Sequence, residues 1–301
     1  MSVSWVASSL LSAAAATGGA FIDKYLVVKE VKDYRAMPIY GAITGFIMGL
    51  IFWIAAGFPV LALKDALILL LIGAMTIWTA IIYFKAMSLE EASKLILFFQ
   101  MVPIFIMTLS FIFLKEKISL VQFLGFSLIL FSVIGVSDNF SKKGFQFSKA
   151  FWLIMLADLM WSISAILMKF VVNKNSFAEV LSYESWGLGL GGIVLYLFFP
   201  LVRKAFNESI RTVRKKALVI IFSNEVLFVF AKALRFFAYS IGITALVSAV
   251  GSTEVFMGIF IGIILTIFAP HILKEDISKR TLLKKGALSL VMFAGLILVS
   301  L

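Results

Sequence analysis

The chain has 301 residues, of which 62% are hydrophobic and only 14% are charged. One soluble core of this size cannot bury so much apolar surface, so the composition excludes a soluble globular protein and indicates an integral membrane protein. The lack of cysteine excludes disulfides, cysteine metal sites and thiol catalysis, and a single histidine excludes a multi-histidine metal site. We expect neither a metal nor a cofactor.

The net charge of +11 is distributed unevenly between alternate loops. If successive loops lie on opposite sides of a membrane, twenty of the 27 lysines and arginines are on one side and five are on the other. Basic loops favour the cytoplasmic side, so we predict a plasma membrane protein with both termini outside. The basic clusters are interpreted as signals for topology and lipid-headgroup contact, and no nucleic-acid partner is expected.

Apolar runs of about 20 residues, the length that a helix needs to cross the hydrocarbon layer, recur along the whole chain. The first run lacks the basic start of a signal peptide and has a counterpart in the sixth run, so it counts as a span. We predict ten transmembrane spans, at residues 3–27, 36–56, 65–87, 92–114, 120–138, 150–172, 179–201, 217–240, 244–270 and 282–301.

The second half of the sequence repeats the first. A shift of 145 residues places Lys24 on Lys169, and the charged segment Lys115-Glu116-Lys117-Ile118-Ser119 returns 159 residues later as Lys274-Glu275-Asp276-Ile277-Ser278. Each copy holds five spans, and an odd number turns the second copy upside down relative to the first. This architecture places a substrate site near the midplane and provides alternating access by rocking one half against the other.

The predicted fold class is therefore all-α, an integral membrane protein with ten transmembrane helices arranged as two inverted five-helix repeats. The repeats cover residues 1–145 and 146–301. Glycines four apart in the second span, at Gly41, Gly45 and Gly49, let helices approach closely, either as static packing or as a sliding gate.

Ionisable side chains within spans cost roughly 2.5–3.5 kcal/mol each at the bilayer centre, so they usually mark a pathway. The eighth span carries Glu225, Lys232 and Arg235, and the ninth carries Glu254. One interpretation is that Glu254 or Glu225 neutralises Lys232 or Arg235 in a structural pair. The other is that the two cations bind a carboxylate or phosphate of the substrate, while Glu254 binds an amine or a proton.

Further polar and aromatic side chains complete the candidate substrate site, and these are Asp158, Gln100, Trp78, Trp161 and Tyr239. Lys24 and Lys169 stand at equivalent positions near the ends of the first and sixth spans. They are either lysines that extend to the interface or a symmetric pair of gate residues.

One group of residues carries a resemblance to a known family, namely Ala86, Glu91-Ala92-Ser93, Pro103-Ile104-Phe105, Leu114-Lys115-Glu116-Lys117-Ile118-Ser119, Gln122, Gly125 and Gly135. Together they resemble the EamA-type repeat of the drug/metabolite transporter superfamily. The resemblance implies a secondary transporter, often an exporter of amino acids or other small metabolites, with a central cavity built from both repeats. The second copy departs from the pattern at Phe256, where the proline would fall.

An intramembrane enzyme is not expected, because an aspartyl protease needs two deep aspartates and a serine enzyme needs a histidine within a span. A lipid-intermediate flippase or a passive channel is the alternative on the same architecture. The expected function is proton-coupled or exchange-driven transport of a small polar metabolite. Its expected partners are that small-molecule substrate, protons and the lipid bilayer.

Overall fold

A computed structural model of the chain describes residues 2–89, 101–136, 148–172, 174–268 and 279–301. The regular elements in these ranges are helices, as expected where lipid leaves no partner for unpaired backbone groups. They are α1 (Ser2–Tyr25), α2 (Met37–Ala55), α3 (Leu63–Leu89), α4 (Met101–Leu109), α5 (Leu120–Val136), α6 (Lys149–Val172), α7 (Phe177–Phe198), α8 (Pro200–Thr212), α9 (Lys215–Ile241), α10 (Thr244–Gly251), α11 (Glu254–Phe268) and α12 (Lys279–Ser300).

Within the described ranges, six helices are long and apolar enough to cross a membrane, and they are α1, α2, α3, α6, α7 and α9. Shorter apolar helices occupy parts of the fourth, fifth and tenth predicted spans. Large apolar side chains cover the outside of the bundle, and Phe111 and Phe198, for example, are 70% and 73% exposed. This surface is suited to lipid, so the all-helical membrane class is confirmed, whereas ten spans in two inverted repeats stay a prediction.

The most extensive helix–helix contacts join the first half of the chain to the second half. α2 packs on α7, α5 on α12, α1 on α9 and α3 on α6. The α2–α7 and α5–α12 pairs each join helices at equivalent places in the two predicted repeats. The α1–α9 and α3–α6 pairs correspond to each other, because exchanging the two repeats turns one pair into the other. The α1–α9 pair is antiparallel, since Ser12 bonds to Ala231 and Gly19 to Asn224. These four pairings are compatible with a two-fold related repeat, whereas α3 also packs extensively on α7 and the equivalent α2–α9 contact is much smaller.

Small residues allow α7 to approach α3 closely. A Cβ atom added to Gly191 would lie 2.7 Å from the Cα of Ala74, and one added to Gly187 would overlap the backbone of Leu70 and Gly73. On α2, one added to Gly45 would meet Leu188 at 2.6 Å. In this conformation the glycines serve static helix packing.

Two features differ from the predicted spans. The ninth span, predicted as one helix over 244–270, is two helices separated at Ser252 and Thr253. Both residues direct their side-chain hydroxyls back to carbonyls of α10, a local competition that bends helices. The basic loop after the seventh span contains α8, an amphipathic helix that buries Val202 and Ala205.

Candidate functional site

Helix α9 carries a row of polar side chains through the middle of the bundle. It runs from Lys215 to Ile241, and its 27 residues span about 40 Å at 1.5 Å per residue. The polar side chains along its middle and far part include Asn224, Glu225, Lys232, Arg235 and Tyr239. The first four contact α1, α2, α7 and α11, so α9 is the element around which the candidate site is built.

Arg235 pairs with Glu254 of α11. Its Nη2 lies 2.5 Å from Oε1 of Glu254, and its Nε donates to the hydroxyl of Ser12 on α1 at 3.3 Å. Both side chains lie deep in the bundle, yet 39% of the Arg235 side chain and 38% of the Glu254 side chain are accessible. Part of each charged side chain therefore remains accessible to a molecule the size of water.

The break between α10 and α11 positions Glu254. This residue begins α11 directly after Ser252 and Thr253, so its carboxylate stands at the N-terminus of a half-helix. Backbone N–H groups and the helix dipole favour a negative charge there. Thr17 of α1 approaches the same turn, with its hydroxyl 3.4 Å from the Glu254 carbonyl oxygen. Discontinuous helices of this kind line substrate sites in transporters built from inverted repeats.

Lys232 pairs with Glu184 of α7. The Nζ–Oε2 distance is 2.5 Å, and the side chains are 16% and 0% accessible. The other oxygen of Glu184 is buried without a hydrogen-bond partner in the described part of the chain. Unlike the Arg235–Glu254 pair, this pair is nearly closed to solvent. It links α9 to α7.

Two carboxylates, those of Asp23 and Glu225, lie nearer the Lys215 end of α9. Asn224 donates from Nδ2 to Asp23 of α1 at 2.8 Å and to the Gly19 carbonyl at 3.2 Å. The Glu225 carboxylate lies against Gly41 of α2, where no side chain intervenes. Asp23 and Glu225 are within electrostatic range of each other.

At the other end of α9, Lys169 of α6 closes the bundle. Its Nζ donates to the carbonyls of Tyr239 at 2.5 Å and Gly242 at 2.8 Å, and it lies 3.9 Å from Glu116. Glu116 in turn accepts from the backbone N–H and the hydroxyl of Thr244, both at 2.9 Å. We call Glu116, Lys169 and Thr244 the lysine latch, because they connect the two halves of the chain.

The remaining predicted site residues are dispersed. Trp78 of α3 donates to the Gly191 carbonyl at 3.3 Å within helix packing, and the Trp161 ring lies 6.0 Å from the ring of Tyr83. Asp158 is fully buried in α6, and neither of its carboxylate oxygens has a partner among the described residues.

Two predicted residues are not described at the side-chain level. Gln100 lies outside the described residues, and for Lys24 only the backbone, in α1, is described.

Sequence reasoning missed several contributors to these clusters. Glu184, the partner of Lys232, could have been included from the sequence, because a glutamate inside a span requires a partner. Glu116 sits in the repeated charged segment and was also visible. Ser12, Thr17 and Thr244 carried no signal, since isolated hydroxyl residues are ordinary in transmembrane helices.

Comparisons with known proteins agree with this architecture. Residues 3–138 match the model of the EamA-like transporter family. A solved structure titled "Crystal structure of protein" shares the fold at a TM-score of 0.65 over 98% of this chain and 98% of that chain, with 13% sequence identity. No curated protein matches the sequence. The match over residues 3–138 is consistent with an EamA-type transporter, and together with the apolar helices it points to a multi-pass membrane transporter of the drug/metabolite type.

Proposed function

We propose that the protein is a secondary active transporter that moves a small polar metabolite, an amino acid or a related charged or zwitterionic solute, by alternating access. The observation that carries this proposal is the Arg235–Glu254 pair. Each side chain is more than a third accessible inside the bundle, so a solute can reach both charges. A purely structural ion pair at this depth is expected to be closed to solvent, as Lys232 and Glu184 are.

The arrangement of charges suits a zwitterion. A substrate carboxylate replaces Glu254 on the Arg235 guanidinium, which binds carboxylates in a two-pronged geometry. A substrate ammonium group replaces Arg235 on Glu254, so the ion pair opens without leaving either charge unpaired. The Ser12 hydroxyl beside Arg235 is a further polar contact for the solute.

Alternating access is supported by the helix pairings and by the lysine latch. The paired helices belong to opposite halves, so rocking the halves changes access to the space beside Arg235. In this proposal the lysine latch, with Glu116 from the first half and Lys169 and Thr244 from the second, is the gate at one end of that space. Opening this end requires its hydrogen bonds to break.

The proposed localisation is the plasma membrane with both termini outside, since the basic loops then face the cytoplasm. With this orientation the lysine latch lies on the outer side. The proposed direction is export, driven by protons or by exchange. The proposed partners are the solute, the bilayer and protons.

The experiment that tests this proposal is a thermal-shift screen of the purified protein against amino acids, nucleotides, sugar phosphates and polyamines at two pH values. A ligand at 100 times its Kd stabilises the folded protein by about 2.7 kcal/mol. We expect a zwitterionic or anionic solute to raise the Tm of the wild type and not that of Arg235→Ala. Arg203→Ala, which removes an exposed arginine from α8, is the matched control and keeps the shift.

Stabilisation by lipids alone, with no response to any solute, would instead support the lipid flippase. A solute response that Arg235→Ala retains in full would contradict the assignment of the site.

A further inference from the structure

The described residues around Asp23 and Glu225 do not neutralise both carboxylates. Asp23 is only 6% exposed and accepts one hydrogen bond, from Asn224 at 2.8 Å. Glu225 follows Asn224 in α9 and has no hydrogen bond or ion pair with any described residue. Its Oε2 lies 3.0 Å from the position that a Cβ of Gly41 would take, so the carboxylate packs tightly against α2.

The charged groups that face this region come from each helix packed around it. Beyond Asp23 of α1 and Glu225 of α9, they are Tyr83 of α3, Glu184 of α7 and Lys232 of α9, and α2 adds only Gly41. Lys232 is the one cation among these described groups, and it is bonded to Glu184 at 2.5 Å. Among the described groups, neither Asp23 nor Glu225 therefore has a cationic partner. Two carboxylates within electrostatic range of each other in a largely buried region repel, which favours a proton on one of them.

Two further buried atoms, one beside Asp23 and one on the partner of Lys232, lack donors among the described residues. The side-chain oxygen of Asn224 and the second oxygen of Glu184 are buried, and neither accepts a hydrogen bond from the described residues. Asn224 is only 2% exposed, bonds to Asp23 and directly precedes Glu225 in α9. A protonated carboxyl group in this region would supply a donor.

We propose that Asp23 and Glu225 together form the proton-binding site of the transporter, holding one proton between them in the conformation described. The coupling role rests on the proposed transport function, whereas the protonation itself does not. The site is separate from the Arg235–Glu254 pair, in which Glu254 already has a cationic partner. Binding converts one carboxylate to a neutral carboxyl group, and release to the other side of the membrane restores its charge, so one proton crosses for each cycle of the pair.

The first test reads the proton directly and needs no substrate. Infrared difference spectra of the purified protein, recorded during a pH titration through neutrality, report the carbonyl stretch of protonated carboxyl groups. We expect the wild type to lose one such band as the pH rises, and we expect Asp23→Asn and Glu225→Gln each to remove that band. Asp33→Asn, which changes a carboxylate in the loop before α2 that already bonds to Arg35, is the control and keeps it. A band that survives in both site variants, or a wild type without one, overturns the proposal.

The second test concerns coupling. Proteoliposomes are loaded with the solute identified by thermal shift, and counterflow is compared with transport driven by a pH gradient. We expect the ratio of gradient-driven transport to counterflow to fall at least tenfold in Asp23→Asn and in Glu225→Gln, and to stay constant in Asp33→Asn. An unchanged ratio in both site variants overturns the coupling role. A wild type without counterflow contradicts the proposed transport instead, and the infrared result then decides the proton site alone.

Discussion

Glu184 and Lys232 form an ion pair at 2.5 Å between α7 and α9, with the Glu184 side chain inaccessible to solvent. The two residues are 48 positions apart, and both lie in the second half of the chain. A buried carboxylate is tolerated only while its partner remains, because the desolvation of both charges must be offset by their attraction. The pair therefore holds α9 in a defined position relative to α7, next to the accessible Arg235.

Removing one partner of this pair should be more harmful than removing both. We expect Lys232→Met to lower the free energy of unfolding by about 3–5 kcal/mol, because it leaves an uncompensated buried charge. Adding Glu184→Gln should restore most of the loss. Chemical unfolding of the four proteins of this cycle in detergent measures the coupling. The exposed pair Lys204–Glu208 on α8, at 3.9 Å, is the control. A cost for Lys232→Met no larger than that for Lys204→Met would contradict the prediction.

The close approach of α3 and α7 predicts opposite effects for two glycine substitutions. Gly191→Ala should lower the Tm, since its Cβ would lie 2.7 Å from the backbone of Ala74, and overpacking of this kind costs about 1–3 kcal/mol. Gly18→Ala, in α1, meets no atom within 4 Å and should raise stability by about 0.5–1 kcal/mol through helix propensity. Thermal unfolding of both variants under one detergent condition checks the pair. Equal effects would show that helix propensity, and not the contact, decides.

The spans were predictable because lipid imposes a minimum length on an apolar helix. That rule located α1, α2, α3, α6, α7 and α9 from composition alone. It is insensitive to local hydrogen bonding, so it did not predict the break at Ser252 and Thr253, where hydroxyl groups compete for backbone carbonyls.

The partners of the intramembrane charges were not predictable in the same way. Helix geometry places Glu225, Lys232 and Arg235 along α9, but which helix faces each of them depends on the rotation and packing of their neighbours. Glu254 was considered as a partner of Arg235 from its depth, and the structure brings the two together. For Lys232 the structure selects Glu184 of α7, a helix that does not pack extensively on α9, so the long lysine side chain makes the connection.

The lysine latch predicts how access to the site is controlled. Glu116→Gln should weaken the bonds to Lys169 and Thr244 and so favour the state that is open at this end. Each loss of about 1.4 kcal/mol raises the ratio of open to closed protein about tenfold. The chain has no cysteine, so Ser9→Cys, a buried position in α1 that is 2% exposed, provides a unique probe. We expect a membrane-impermeant thiol reagent to modify this cysteine about tenfold faster in the Glu116→Gln background.

The control for the latch is a similar neutralisation elsewhere. Asp33 pairs with Arg35 at 2.7 Å before α2, away from the latch, and Asp33→Asn should leave the modification rate unchanged. Equal acceleration by Asp33→Asn and Glu116→Gln would indicate a general loosening of the bundle and would contradict a gate at Lys169.

The Arg235–Glu254 pair allows a structural role to be separated from a binding role. Both side chains are more than a third accessible, so screening by water limits the stability that the pair contributes to about 1 kcal/mol. The double variant Arg235→Gln/Glu254→Gln removes both charges and keeps the shape, so it should unfold at nearly the same temperature as the wild type. If the pair only stabilises the fold, this variant should also bind and transport solute normally.

We expect the double variant to lose binding instead. Hydrogen bonds to charged groups contribute about 1.5–3 kcal/mol each, so loss of the guanidinium alone should raise the Kd of the solute at least tenfold. Calorimetric titration of the solute found by thermal shift measures this value, and the unfolding temperature of the same sample reports the fold. A double variant that is as stable as the wild type and binds with the wild-type Kd would restrict Arg235 and Glu254 to a structural role. Stability retained with binding lost would locate the recognition of the solute between α9 and α11.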